Sequence, residues 1–145
     1  MKRFIALAVV SFILVACMPA SEPASSETPD AGSVNPSSPL PSDSNLERGN
    51  ASISQSELLI RESYPVQIAL SFAGELPTPC HQLRVIVSPP DAKNEIHIEI
   101  YTVYDPGATC IQVIQPFQEV VETGTFPTGH YTVWLNGEII GEFDS

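Results

Sequence analysis

Three cysteines (Cys17, Cys80, Cys110) and three histidines (His81, His97, His130) are the side chains of this 145-residue chain best equipped for chemistry. Thiolates and imidazoles bind zinc, exchange disulfides or act as nucleophile and base, and each of these uses needs partners at set spacings. No Cys-x-x-Cys pair lowers a thiol pKa, and the histidines fall on three different predicted elements outside any nucleophile or zinc motif. Cys80-His81 with Cys110 offers three zinc donors but lacks a fourth at credible spacing. Asp91, Glu95, Glu99 and Asp105 flank one predicted strand without the spacing of a calcium loop, and read as a solvated strand face. Gly129-His130 and Asn136-Gly137 read as backbone turns, since no helix N-terminus follows them to hold a phosphate. No catalytic residue, metal or cofactor is therefore assigned. The enzyme alternative is a small envelope hydrolase or metal-dependent enzyme using His81, His97 or the acidic residues.

The elements around these residues begin with an export segment. Lys2 and Arg3 precede an apolar run from Phe4 to Ala16, 13 residues interrupted only by Ser11. That run is well short of the roughly 20 residues that span a bilayer as a helix, and has the layout of a cleaved secretory signal. Its end, Leu14-Val15-Ala16-Cys17, resembles the lipobox of bacterial lipoproteins. The resemblance implies cleavage between Ala16 and Cys17 and a diacylglyceryl group carried on the Cys17 sulfur. Two or more acyl chains, at about 0.8 kcal/mol per buried methylene, suffice for lasting attachment to a membrane leaflet. The expected location is the bacterial cell envelope, outside the cytoplasm. With Cys17 lipidated, Cys80 and Cys110 remain as an even pair in an oxidising compartment, where a disulfide is the default. A closed loop of about 31 residues would contribute on the order of 3–4 kcal/mol.

From Met18 to Asn50, 8 of 33 residues are Ser and 6 are Pro. Such composition buries too little apolar area to offset chain entropy and predicts a disordered tether. The expected organisation is a signal peptide over 1–16, a lipidated cysteine and tether over 17–50, and one domain over 51–145. Loss of Lys2 and Arg3 leaves 17 acidic against 4 basic side chains, a formal −13. That balance argues against nucleic acid as a partner and suits solubility at a cell surface.

Within 51–145 the hydrophobic period is two. Val66, Ile68, Leu70 and Phe72 alternate with smaller or polar residues, as do Leu83, Val85 and Val87, then Ile96, Ile98 and Ile100. Further strands are expected at 53–60, 111–114, 117–123, 130–135 and 138–143. Some seven short strands between Pro- and Gly-rich turns predict a single all-β, antiparallel β-sandwich. Thr128-Gly129-His130-Tyr131-Thr132-Val133 resembles the Gly-x-Tyr-x-Val stretch of immunoglobulin-like domains, which implies a tyrosine packed at a corner and carries no function with it.

Asn136-Gly137 allows two registers: a two-residue loop setting Trp134 opposite Ile139, or a three-residue loop setting Val133 opposite Ile139 and Tyr131 opposite Gly141. The second is preferred because it gathers Tyr131, Val133, Ile139 and Phe143 on one buried face. Trp134 and Ile140 then point to the other face and, with Tyr101, form the candidate binding surface. The functional expectation is a membrane-attached, non-catalytic binding module for a protein or glycan partner of the cell envelope.

Overall fold

The computed structural model describes residues 35–145; the expected signal peptide, Cys17 and the first part of the tether lie outside the described residues. A short 3-10 helix at Pro41–Asn45 is followed by eight strands: β1 (Glu47–Asn50), β2 (Ser52–Arg61), β3 (Val66–Leu76), β4 (Gln82–Val87), β5 (Glu95–Tyr104), β6 (Gln115–Phe126), β7 (His130–Leu135) and β8 (Glu138–Asp144). Strands β1, β4, β5, β7 and β8 form one sheet, and β2, β3 and β6 the other. The all-β sandwich is as expected. Residues 111–114 form a loop in place of a strand, with Ile111, Val113 and Ile114 exposed, and β1 is an added strand. Alternating apolar residues can mimic a strand wherever no neighbouring strand supplies a ladder.

Burial follows the period-two pattern. Ile68, Leu70 and Phe72 of β3 face Ile96, Ile98 and Ile100 of β5 in one core cluster, joined by Val85, Val121, Phe126, Val133 and Phe143. Tyr131, second residue of β7, lies in this cluster, and its hydroxyl donates to the carbonyl of Pro127 at 3.0 Å. That bond makes the tyrosine corner implied by the local resemblance.

Strand β5 organises the five-stranded sheet. One edge pairs antiparallel with β4. The other edge is shared: residues 95–98 pair with β7 and 101–104 pair antiparallel with β1. The β5–β7 pairing is parallel, which departs from a wholly antiparallel expectation. The chain passes from β5 through β6 of the opposite sheet, so β7 returns in the same sense as β5. In the gap between β7 and β1, Asn136 substitutes for a strand. Its Oδ1 accepts from the Ile100 N–H at 2.8 Å, and its Nδ2 donates to the Ile100 carbonyl at 3.1 Å.

The register at Asn136-Gly137 corrects the expected one. Asn136 (φ 49°) and Gly137 (φ 90°) form a two-residue loop with Leu135 opposite Glu138 and Trp134 opposite Ile139. Positive φ at both central positions is the type I′ requirement, and Asn-Gly meets it. A register shift between Val133 and Trp134 then sets Val133 opposite Gly141 and Tyr131 opposite Phe143. One inserted residue, Ile140, thus reconciles the favoured turn with burial of Phe143. As a result Ile139 is 54% exposed, whereas Ile140 packs against the core.

The expected boundary at Asn50 is also corrected, because residues 37–50 are fastened to the sheet. The Ser37 carbonyl accepts from the Val85 N–H at 2.7 Å on the free edge of β4. Asp43, in the 3-10 helix, receives Arg84 Nε at 2.7 Å and Arg84 Nη2 at 2.9 Å. The chain continues into β1 on the far edge of β5. Residues 37–46 therefore cross the outer face of the sheet as a strap. Their polar composition conceals this, because the order comes from Arg84, a cation only 5% exposed that requires a carboxylate.

Candidate functional site

Strand alternation sends Tyr101, Glu99 and His97 of β5, and Trp134 of β7, to the outer face of the five-stranded sheet. On that face lies an open groove of about 560 Å³, lined by Arg48, Ile86, His97, Glu99, Tyr101 and Asn136 among others, with Trp134 outside its lining and stacked on His97. Arg48 arrives on β1, and its guanidinium lies 3.6 Å from the centroid of the Tyr101 ring while pairing with Glu99. This arrangement combines a cation–π contact with an ion pair, leaving guanidinium edges available for hydrogen bonding. Trp134 is half-buried, directly across from His97 in the parallel ladder, and the two rings stack at 5.8 Å and 22°. The Trp134 Nε1 atom is buried without a hydrogen-bond partner.

Of the three residues expected to form a binding surface, the structure therefore brings Trp134 and Tyr101 to one face, Trp134 stacked on His97 and Tyr101 under Arg48. Ile140 is excluded by the bulge. Arg48 was hidden because its segment reads as tether, and Asn136 because its turn role was visible while its edge-capping role was not.

The histidines do not converge. His81 sits at the end of the sandwich where Cys80 and Cys110 are joined, a disulfide with a Cα–Cα distance of 6.1 Å. Its ring packs on Tyr104 at 4.7 Å, and its Nδ1 lies 2.9 Å from Thr78 Oγ1. These residues line a hollow of about 310 Å³ with both half-cystines. Because both sulfurs are in the disulfide, Cys80 and Cys110 are not available as zinc thiolates. His130 instead meets Asp144 at 2.8 Å and Glu142 at 3.6 Å across β7 and β8. The Asp144 hydrogen bond, partly opposed by desolvation, raises the His130 pKa above its ordinary value.

His97 has acidic neighbours at the β4–β5 turn, where donor atoms of Asp91, Glu95 and His97 lie within 4.8 Å of one another. Asp91 Oδ1 already accepts the Lys93 and Glu95 N–H groups at 2.8 and 2.9 Å. Those bonds, the Glu95 one foremost, lower the Asp91 pKa. The carboxylate closes the turn as an Asx motif. Glu99 is committed to Arg48, and Asp105 Oδ1 to the Gly107 N–H at 2.8 Å, so neither joins this cluster.

The model of the ORF11 beta-sandwich domain family matches residues 70–145, just over half of the chain. A curated relative from Herpetosiphon aurantiacus, described as an uncharacterised 10.2 kDa protein in the HgiCIIM 5′ region, is 31% identical over 78 residues. The aligned stretch covers 53% of this chain and 82% of that protein. No solved structure matches. The chain belongs to the ORF11 beta-sandwich family. The match begins within β3 and includes both half-cystines, Trp134 and Tyr101; β1, β2 and the strap precede it.

Proposed function

Taking membership of the ORF11 beta-sandwich family as the premise, we propose that the chain is a lipid-anchored protein of the bacterial cell envelope whose sandwich is a non-catalytic binding module. The observation that carries the binding role is the outer-face groove. An open sheet face with a half-buried tryptophan, a tyrosine under an arginine and an adjacent carboxylate can stack on flat or ring-shaped groups and hydrogen-bond around them. A protein or glycan of the envelope is the class of partner it suits. The anchor rests on Leu14-Val15-Ala16-Cys17 behind a short apolar run, and the −13 charge of the processed chain keeps nucleic acid out of the reading.

The anchor is tested by the mass of the membrane-extracted protein. Removal of residues 1–16 together with a diacylated Cys17 is expected; a processed chain without lipid would make the reading wrong. The module is tested by co-sedimentation with insoluble envelope glycan and by cross-linking to envelope proteins. Trp134→Ala and Arg48→Ala are each expected to weaken whichever association appears by about tenfold, in the range of a modest interface contact. Unchanged association would remove the groove from the function. Among the described residues, the metal-enzyme alternative retains Asp91, Glu95 and His97 at the β4–β5 turn. One zinc or calcium held stoichiometrically through native mass measurement would place it first.

A further inference from the structure

The end of the sandwich closed by Cys80–Cys110 carries apolar side chains that neither sheet covers. Directly after Cys110, Ile111, Val113 and Ile114 are 68%, 55% and 60% exposed. Ile114 also borders a shallow hollow of about 270 Å³ shared with Ala51, Leu76 and Pro77, so the apolar surface extends past the loop. Both ends of the loop are fastened. The disulfide holds Cys110, and Gln115 pairs with Leu76 where β6 begins. A tight turn between, with the Val113 N–H donating to the Ile111 carbonyl at 3.1 Å, keeps the segment short. Clustered aliphatic side chains left in water mark a contact surface.

We propose that this tip seats in the lipid surface to which Cys17 attaches the chain, an inference that rests on the lipid-anchor reading above. Three side chains offer far less than the roughly 800 Å² per partner that a stable protein interface buries, which disfavours a second copy or a folded protein. A lipid surface demands less. Insertion of one small loop is weak alone, but attachment through Cys17 would hold it near the membrane at an effective concentration in the millimolar range. The 17 residues between Cys17 and Asn35 reach at most about 60 Å. Strand β6, 12 residues long, spans about 40 Å, so the linker is long enough to pass the sandwich and let its tip face the membrane. Glu75 beside the hollow and Asp105 beside the disulfide supply carboxylates at the rim, favouring a zwitterionic over an anionic surface.

The test uses the chain from residue 17 with Cys17→Ser, sedimented with phosphatidylcholine vesicles. Weak binding is expected, reduced about tenfold or more by Ile111→Ser, Val113→Ser and Ile114→Ser together. A control carrying Ile60→Ser, Val120→Ser and Ile139→Ser, exposed aliphatics elsewhere on the fold, should bind like the parent. Absence of vesicle binding by the parent, or equal binding by both triple variants, would overturn the proposal. So would a concentration-dependent dimer abolished by the loop variant, which would assign the patch to a second copy. Melting curves establish that each variant is folded. Failure of the anchor is read separately, from the lipid mass on Cys17; a chain lacking lipid whose tip still binds vesicles keeps the tip and loses the anchor.

Discussion

Two fastenings hold irregular segments to the sheets, and they differ in kind. At one end of the sandwich, Cys80 and Cys110 close a covalent link over a sequence separation of 30. On the outer face, Asp43 and Arg84 close an ionic one over a separation of 41. The covalent link acts chiefly by restricting the unfolded chain, so its contribution is set by loop length and hardly by its surroundings. The ionic link acts in the folded state alone. Removing the carboxylate leaves the covered Arg84 guanidinium without a partner, so the contribution of the link is set by burial. A staple of the first kind tolerates an exposed location; one of the second kind needs cover.

The comparison is challenged most strongly by truncation. A chain beginning at residue 51 loses the strap, β1 and the partner of Arg84 together, and is expected to forfeit roughly 5 kcal/mol, enough to abolish a cooperative urea transition in a small domain. A chain beginning at residue 35 should retain it. Equal stability of the two would mean that the strap only rests on the sheet. Replacing both half-cystines with alanine is expected to lower unfolding free energy by about 3–4 kcal/mol, measured by urea titration with the m-value compared against the parent. Arg84→Ala should cost about 2 kcal/mol, less than the disulfide, since Asp43 can turn back to water once its partner is gone. If Arg84→Ala costs more than the double cysteine variant, the ranking of the two staples is reversed.

Acid separates the fastenings further, because a disulfide does not titrate. Hydrogen bonding by Arg84, followed by the Leu40 N–H, pulls the Asp43 pKa from 3.8 to about 2. A folded value below the unfolded one means that the strap's contribution is complete above about pH 4 and disappears as pH falls toward 2. The Val85 amide, bonded to the Ser37 carbonyl, should keep a constant protection factor down to about pH 4 and lose it below. Loss near pH 6 would detach the strap from Asp43. The smallest effect belongs to His130, whose pKa is raised by Asp144 on an exposed surface. Its contribution is present below the ordinary imidazole range and fades as pH rises through the raised value. Asp144→Asn should flatten that slope, seen by NMR titration of the ring, while leaving the melting temperature nearly unchanged.

The same contrast shows how much was legible beforehand. The cysteine pair could be read because disulfides are few, countable and tied to compartment. The strap could not, because Asp43 and Arg84 are ordinary charges until the fold brings them together. Trp134 and Tyr101 were legible as large aromatics on the polar side of their strands. Their approach to Arg48 and His97 depended on β5 sharing one edge between β7 and β1, a pairing that no local spacing encodes. The hairpin turn at Asn136-Gly137 reads as a choice of two registers, and a single register kept along the whole strand pair selects the wrong one. The shift at Ile140 allowed the turn and the core each to have its own register.

The sequence by itself determined the all-β class, most strand positions and the identity of the core residues, since alternation and turn chemistry act between near neighbours and leave a periodic trace. It also contained the lipobox-like stretch and the cysteine pair that motivate the envelope reading. Only the tertiary structure decided that residues 37–50 join the domain, which face became a groove and which aliphatic residues were left in water. Those outcomes depend on contacts between residues tens of positions apart, whose desolvation and pairing energies appear only when the two sheets close on each other.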